Sequence, residues 1–283
     1  MRLRRFFAAV VALGLALTGY AYWTAIADPV VREAALALPG WPAGAPPVRA
    51  VLIADLHVAG PDMPPARLAR IVAQVNALRP DIVLIAGDFI SDKRMATRHY
   101  SLAEAIAPLR LLRPRFASVA VLGNHDYWRN AGEARRALRD AGVILLENSA
   151  IEVGPLAIGG LADPYTHRDD PAGTIAQMRA LPGARILLSH SPDPFPRLPP
   201  DVGLMLAGHT HCGQVRLPLI GAVSTMSAYG QRYACGLIRE HGRTLIVTAG
   251  LGTSGLPLRL GAVPDLWLIR LGPRSIAARS PRR

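Results

Sequence analysis

Short, almost purely apolar runs recur along the chain, and each is followed within three residues by an Asp, Asn or His. The runs cover residues 51–54, 82–86, 119–122, 186–188 and 202–206. Such runs are typical of strands that are buried on both faces of a covered sheet. Between the first two runs, apolar residues recur at helical spacing over 68–78. The alternation of strand and helix patterns predicts an α/β layered domain.

The same patterns give an approximate position for each element. Helices are expected to begin near Pro64-Pro65, at Ser101 with a capping box, at Asn130, and after Asp170. Strands are predicted near 48–54, 82–87, 116–122, 144–146, 151–153, 156–158, 185–189, 202–207, 245–248 and 266–271.

The amino terminus carries a targeting or anchoring signal. Three arginines precede an apolar segment, residues 6–27, that is long enough to span a bilayer. Two interpretations remain, an uncleaved anchor and an exported chain cleaved after Ala27. The positive charges place the amino terminus in the cytoplasm and the rest of the chain outside it. Residues 28–47, rich in Pro and Gly, are predicted to be a linker; 48–271 to be the domain; and 272–283 to be a basic, disordered tail.

The net charge of +12 does not indicate a nucleic-acid partner. Seven arginines lie in the first five and last ten residues, which leaves +5 for everything between them. We therefore expect no nucleic-acid binding. Two cysteines, Cys212 and Cys235, are too few for a disulfide framework. We expect them to be unpaired, with a bridge between them as the alternative for an exported protein.

The polar residues after the apolar runs carry the chemistry. They are Asp55, His57, Asp88, Asn124, His190, His209 and His211. Carboxylate, imidazole and amide oxygen are ligands of divalent metals, and seven such groups suit two ions better than one. In an extended chain, residues two apart point to the same side, so Asp55 and His57 can reach one ion. Asp88, with two carboxylate oxygens, can bridge both.

The pattern Asp-x-His, Gly-Asp, Gly-Asn-His-Asp, His, Gly-His-x-His resembles that of the calcineurin-like metallophosphoesterases, in particular a bacterial membrane-linked branch. The resemblance implies a four-layer αββα sandwich with the metals at one edge of the two sheets. With the orientation given by the amino-terminal arginines, the expected location is the bacterial cytoplasmic membrane, with the domain on the extracytoplasmic side. The resemblance also implies two ions, and because no thiolate ligand is required, Mn, Zn and Fe all remain open. The first would be held by Asp55, His57, Asp88 and His211. The second would be held by Asp88, Asn124, His190 and His209.

The expected mechanism is attack on phosphorus by a hydroxide that bridges the two ions. His125 is the candidate to offset phosphoryl charge and protonate the leaving oxygen, with Asp126 orienting it. Arg259 is a candidate contact to the substrate phosphate.

Three functional hypotheses follow from these residues and from the family resemblance. The first is a phosphoesterase acting on a phosphodiester, phosphomonoester or pyrophosphate. The second is a lipid pyrophosphate hydrolase of the UDP-2,3-diacylglucosamine type, as in lipid A metabolism. The third is a non-catalytic, metal-bound membrane scaffold. The substrate would be a phosphate-containing small molecule or lipid, and the oligomeric state is left open.

Overall fold

The computed structural model describes residues 1–273 of the chain. Its helices are α1 (Arg2–Ile26), α2 (Pro65–Ala77), α3 (Leu102–Ile106), α4 (Asn124–Asp140) and α5 (Pro171–Ala180). Its first seven strands are β1 (Val30–Ala37), β2 (Val48–Ile53), β3 (Ile82–Ala86), β4 (Ala117–Val121), β5 (Ile144–Leu145), β6 (Ser149–Val153) and β7 (Leu156–Gly160). The others are β8 (Ala184–Leu188), β9 (Leu204–Ala207), β10 (Arg216–Leu217), β11 (Gly221–Ala222), β12 (Gly236–Glu240), β13 (Arg243–Val247) and β14 (Asp265–Gly272).

Two six-stranded sheets lie face to face. Their strand orders are β1-β14-β2-β3-β4-β5 and β12-β13-β9-β8-β7-β6, and β2 to β5 run parallel, as do β7, β8, β9 and β13. Helices α2, α3 and α4 cover the outer face of the first sheet, and α5 covers that of the second. The predicted α/β class and the four-layer αββα arrangement are therefore confirmed.

Strand β3 illustrates why the apolar runs have no polar face. Val83 and Ile85 pack against the helices, whereas Ile82 and Leu84 pack between the two sheets. Successive side chains of a strand point to opposite faces, and both faces here are covered. Burial on both sides makes every residue of β3 apolar.

Helix α4 begins earlier than the sequence indicates. Asn130 does cap a helical segment, since its side chain accepts a hydrogen bond from the Glu133 backbone N–H. However, the residues from Asn124 onward are already helical, and the chain only kinks at Asn130, where φ is −176° and ψ is 92°. The additional turn places Asn124 and His125 at the amino end of a helix.

The predicted organisation of the chain needs correction in three places. Residues 28–47 are not all linker, because β1 pairs in parallel with β14 at the edge of the first sheet. Strand β12 and the β10–β11 hairpin were not predicted. Gly272 belongs to β14, and the remainder of the predicted tail, 274–283, lies outside the described residues.

Helix α1 is long and apolar enough to cross a membrane. Residues 1–20 are exposed, whereas Ala21, Thr24 and Ala25 in its last turns are buried against the domain. The Arg259 backbone N–H donates to the Ala21 carbonyl at 2.9 Å. The end of the helix is therefore part of the folded domain.

Candidate metal centre

The predicted site residues meet at the carboxyl ends of five parallel strands. Asp55 follows β2, Asp88 follows β3, Asn124 follows β4, His190 follows β8, and His209 with His211 follows β9. The two sheets therefore contribute from opposite sides to one cluster. All seven candidate ligands are brought together there and are buried.

One group of candidate ligand atoms surrounds His57. Its Nε2 lies 3.0 Å from His211 Nε2 and 3.4 Å from Asp88 Oδ2. His211 Nε2 in turn lies 3.7 Å from Asp55 Oδ1. Atoms bound to one ion at about 2.0–2.2 Å are themselves about 3.0–3.5 Å apart. The spacing of these atoms suits a shared cation.

A second group surrounds His190. Its Nε2 lies 3.1 Å from Asn124 Oδ1, 3.1 Å from His209 Nδ1 and 3.3 Å from Asp88 Oδ2. Thus the same oxygen of Asp88 faces both groups, as a bridging carboxylate would. Side chains of the cluster form several sets that could hold a metal ion, including Asp55 with His57 and His211, and Asp55 with Asp88 and His190.

Backbone carbonyls orient two of the imidazoles. His190 Nδ1 lies 2.7 Å from the Ala86 carbonyl, and His209 Nε2 lies 3.1 Å from the Met226 carbonyl. A carbonyl oxygen only accepts, so these nitrogens carry the hydrogen. His190 Nε2 and His209 Nδ1 are consequently the atoms that face the second group, an arrangement common for metal-ligating histidines.

The convergence is achieved by left-handed backbone and not by strand alternation. Asp55 and His57 have φ of 51° and 43°, and His209 and His211 have φ of 71° and 52°. The expectation that each pair sits on extended chain is therefore wrong, although the members of each pair do reach one cluster. Non-glycine residues rarely adopt this conformation, and such strain concentrates at functional sites.

Two glycines allow the loops to approach the carboxylates. A Cβ on Gly123 would collide with Asp88 Oδ1, and a Cβ on Gly208 would lie 2.5 Å from Asp55 Oδ2. A side chain at either position would displace a candidate ligand. The Gly before Asn124 and the Gly before His209 are therefore part of the site's geometry.

Burial sets the charge of the cluster. It lowers the pKa of His57 and His211 well below the usual value and that of His209 to about 3, so these rings are neutral and keep a free lone pair. Burial also raises the pKa of Asp55 to about 7. Burial and the nearby Asp88 outweigh the positive charge of His190 and Arg259 at this carboxylate, and a divalent cation would supply further compensation.

Asp88 and His190 form the charged pair at the centre. Burial would raise the pKa of Asp88, but His190 and His125 outweigh it and hold that pKa well below the usual value. Conversely, burial would lower the pKa of His190, but Asp88 raises it well above the ordinary value. The donor set, the spacing and the need for positive charge all fit divalent metal ions.

His125 has a partner that the sequence analysis missed. Its Nδ1 lies 2.6 Å from Asp92 Oδ1, and its ring packs edge-on against His57. The expectation that Asp126 orients His125 is wrong. The buried Asp126 carboxylate instead accepts hydrogen bonds from the backbone N–H groups of Asp88 and Gly123, with N···O distances of 2.9 Å. Asp126 thus holds the two ligand loops together.

Arg259 is not positioned for a substrate phosphate. It is fully buried, and its guanidinium donates to the carbonyls of Ala249 at 2.8 Å and Gly250 at 3.1 Å. The same group lies 3.5 Å from His211 Nδ1. Arg259 therefore fixes the loop behind His211, in place of the expected substrate contact.

A disulfide constrains the loop that carries His211. Cys212, directly after His211, is bonded to Cys235, so the expectation of unpaired cysteines is wrong. The bond links the loop after β9 to the start of β12. It constrains the backbone next to two candidate ligands.

The cluster opens into a cavity of about 450 Å³. Asp88, Asn124, His125, His209 and His211 line its floor. Its walls include the apolar or aromatic side chains of Trp128, Tyr165, Val215, Val223 and Met226. A polar floor with apolar walls is typical of a small-molecule site.

Comparison with known proteins defines the class. Residues 48–213 match the model of the calcineurin-like phosphoesterase family. The match covers more than half of the chain, and the chain belongs to that family. Family membership supports a metal-dependent hydrolase.

Several individual relatives are named as metallophosphoesterases or phosphodiesterases. A "Transmembrane protein with metallophosphoesterase domain" of Danio rerio is 32% identical over 242 residues, covering 79% of this chain and 53% of the fish protein. The chain thus spans about half the length of that relative. An uncharacterized metallophosphoesterase of Bacillus subtilis, YkuE, is 30% identical over 212 residues, with 72% of each chain covered. The phosphodiesterase YaeI of Escherichia coli is 29% identical over 237 residues, covering 80% of this chain and 83% of YaeI.

Among solved structures, a 5'-nucleotidase precursor of Thermus thermophilus is similar, with a TM-score of 0.47 at 15% identity. The match covers 79% of this chain and 55% of the nucleotidase. The name of the fish relative and the apolar helix α1 together support membrane association.

Proposed function

We propose that the chain is a dinuclear metal-dependent phosphoesterase that hydrolyses a phosphodiester, phosphomonoester or pyrophosphate. The observation that carries the proposal is the position of Asp88 Oδ2, 3.4 Å from His57 Nε2 and 3.3 Å from His190 Nε2. A carboxylate oxygen that faces two sets of histidine nitrogens would be able to bind both of two adjacent cations.

The ligand assignment follows from the two groups. Asp55, His57, Asp88 and His211 would hold one ion, and Asp88, Asn124, His190 and His209 the other. Ions held there would supply an activated water near neutral pH and would offset charge on phosphoryl oxygens. Asn124, as a neutral amide, keeps the negative charge of the donor set low. The complete donor set disfavours a non-catalytic scaffold.

His125 would act on the leaving group. Its Nδ1 faces Asp92, so the Nδ1–H donates to that carboxylate and Nε2 is left for the cavity. In this arrangement Asp92 fixes the ring orientation, and Nε2 would donate a proton to the leaving oxygen. His125 lines the cavity floor beside Asp88 and Asn124. We therefore assign His125 as general acid and Asp92 as its positioning residue.

The cavity walls favour a substrate that carries an apolar group. Trp128, Val223 and Met226 line the same cavity as the candidate ligands Asp88, Asn124, His209 and His211. Both a nucleotide-linked lipid of the UDP-diacylglucosamine type and a phospholipid fit this description. A lipid phosphodiester or pyrophosphate is accordingly the second candidate substrate class.

The location that we propose is the outer face of the cytoplasmic membrane. The amino-terminal arginines favour a cytoplasmic start to α1, and the disulfide favours an oxidising compartment for the domain. The Arg67 guanidinium donates to the Ala27 carbonyl at 2.7 Å, and the Arg259 backbone N–H donates to the Ala21 carbonyl. Cleavage after Ala27 would remove these packed residues, so an uncleaved anchor is favoured.

The experiment measures turnover by the full chain in detergent after chelation and readdition of Mn, Zn or Fe. Substrates are bis(p-nitrophenyl) phosphate, p-nitrophenyl phosphate, UDP-diacylglucosamine and a phospholipid. We expect activity only with metal, and loss of at least about 100-fold in Asp88→Asn. In His125→Ala, kcat should fall about 100- to 10,000-fold with metal retained. Full activity of Asp88→Asn, or of the chelated protein, would contradict the proposal.

A further inference from the structure

Two loops beside the cavity are unusually free of charge. Residues 217–231 and 249–258 contain no Asp, Glu, Lys or Arg. They nevertheless expose large apolar side chains, those of Leu217, Leu219, Ile220, Val223, Met226 and Leu256, which we call the apolar rim. Leu219, in the turn of the β10–β11 hairpin, is fully exposed, and Ile220 is 67% exposed. Adjacent exposed apolar groups of this kind mark interaction surfaces.

The apolar rim is connected to the end of α1 by two backbone contacts. The Arg259 N–H donates to the Ala21 carbonyl at 2.9 Å, and the Arg216 N–H donates to the Leu260 carbonyl at 2.7 Å. From Arg216 to Leu219 the chain can extend only about 10 Å. The hairpin turn therefore lies within about 25 Å of the last turns of α1.

The end of α1 also marks a membrane surface. Tyr20 and Trp23 are exposed there, in the same turns of the helix as the buried Ala21, Thr24 and Ala25. Exposed aromatic residues at the end of an apolar helix are typical of the headgroup level of a bilayer. A short, uncharged, apolar hairpin beside this level fits lipid better than a charged protein surface.

We propose that the apolar rim is a second membrane contact, in which the β10–β11 turn inserts into the leaflet where α1 ends. Val223 and Met226 belong both to the rim and to the cavity wall. Insertion would therefore hold the mouth of the cavity at the lipid surface. A substrate with an acyl chain could then enter without leaving the membrane.

Depth measurements test this contact without reference to catalysis. Because Cys212 and Cys235 are bonded to each other, Leu219→Cys supplies a single reactive thiol in the full chain. The thiol is labelled with an environment-sensitive fluorophore, and the protein is reconstituted in phosphatidylcholine–phosphatidylglycerol vesicles that contain nitroxide-labelled lipids. Leu111→Cys is the matched control, since Leu111 is 49% exposed and precedes β4 at the opposite end of the parallel strands.

We expect acyl-chain nitroxides to quench position 219 at least about threefold more than position 111. Equal quenching at the two positions would overturn the proposal. Disulfide cross-linking between two copies at position 219, without lipid quenching, would also overturn it and assign the rim to a second copy of the chain.

A charged double variant, Leu219→Asp with Ile220→Asp, provides an independent result. Two carboxylates should prevent insertion of the turn. We expect turnover of a phospholipid in vesicles to fall about tenfold, with turnover of soluble bis(p-nitrophenyl) phosphate unchanged. Phospholipid turnover equal to that of the unchanged protein would count against the contact. This part rests on the proposed phosphoesterase activity, whose failure would appear separately as absence of soluble-diester turnover in both proteins.

Discussion

Replacement of Lys93, the only lysine of the chain, by methionine should destabilise the domain strongly. The Lys93 ammonium lies 2.6 Å from Asp62 Oδ1 and 3.1 Å from Thr253 Oγ1. Both members of this ion pair are fully buried. Methionine keeps most of the aliphatic length but removes the charge, so the Asp62 carboxylate is left with the Thr253 hydroxyl, 2.7 Å away.

The size of the effect follows from burial. Removal of one partner of a buried ion pair costs about 3–5 kcal/mol, because the other charge remains without compensation. For a domain of this size, 1 kcal/mol shifts Tm by about 2–4 °C, so the expected decrease is about 6–20 °C. Lys93 directly follows Asp92, and the variant should therefore also loosen the carboxylate that orients His125.

Thermal unfolding of the full chain in detergent, followed by far-UV circular dichroism with a chelator present, measures this decrease. The chelator removes stabilisation by bound metal, which would otherwise mask the change. The double variant Lys93→Met with Asp62→Asn is the control, because its buried site is neutral. It should recover at least half of the lost stability. A single variant that loses less than about 1 kcal/mol, or a double variant less stable than the single one, would refute the reasoning.

Three further predictions concern the site. Asp92→Asn should lower kcat about tenfold with metal content unchanged, as measured by diester turnover and elemental analysis; unchanged kcat would remove Asp92 from the mechanism. The double variant Cys212→Ser, Cys235→Ser should lose about 3 kcal/mol of stability and bind metal more weakly, because the loop bearing His211 is released. Calorimetry would detect either result. Unaltered metal affinity would exclude a role of the disulfide in positioning His211. Burial raises the pKa of Asp55 to about 7 in the metal-free protein, so its carboxylate is protonated below that pH and must lose the proton to bind metal. The apparent metal affinity should therefore fall as pH decreases from 7 to 5. A pH-independent metal affinity would contradict the assignment of Asp55 as a ligand.

The sequence predicts the ends of the central strands well for a physical reason. The last residues of strands β2, β3, β8 and β9 are covered on both faces, so each of these strands ends in an uninterrupted apolar run, and polar residues resume where the strand ends. The candidate ligands could be found because each lies within a few residues of the end of such a run. Edge strand β1 was missed because most of its residues are only partly buried or exposed, and no uninterrupted run identifies it.

The remaining errors concern contacts between loops. Asp92 reaches His125 from a loop without a periodic pattern. The buried guanidinium of Arg259 donates to backbone carbonyls that approach it only in the folded chain. The Cys212–Cys235 pair depends on the approach of two loops. Sequence spacing does not encode such approaches, because they are set by the packing of whole elements. The short spacing between Asp88 and Asp92 was the available signal for the His125 partner.

The number of metal ions bound per chain tests the central claim most directly. Elemental analysis of the purified full chain, loaded with Mn or Zn and freed of excess metal, should give two ions per chain. Asp88→Asn should lose at least one of them, because Asp88 Oδ2 faces both groups of ligands, whereas Asp92→Asn should retain both. A single ion in the unchanged protein, or two ions retained by Asp88→Asn, would contradict a centre built around Asp88.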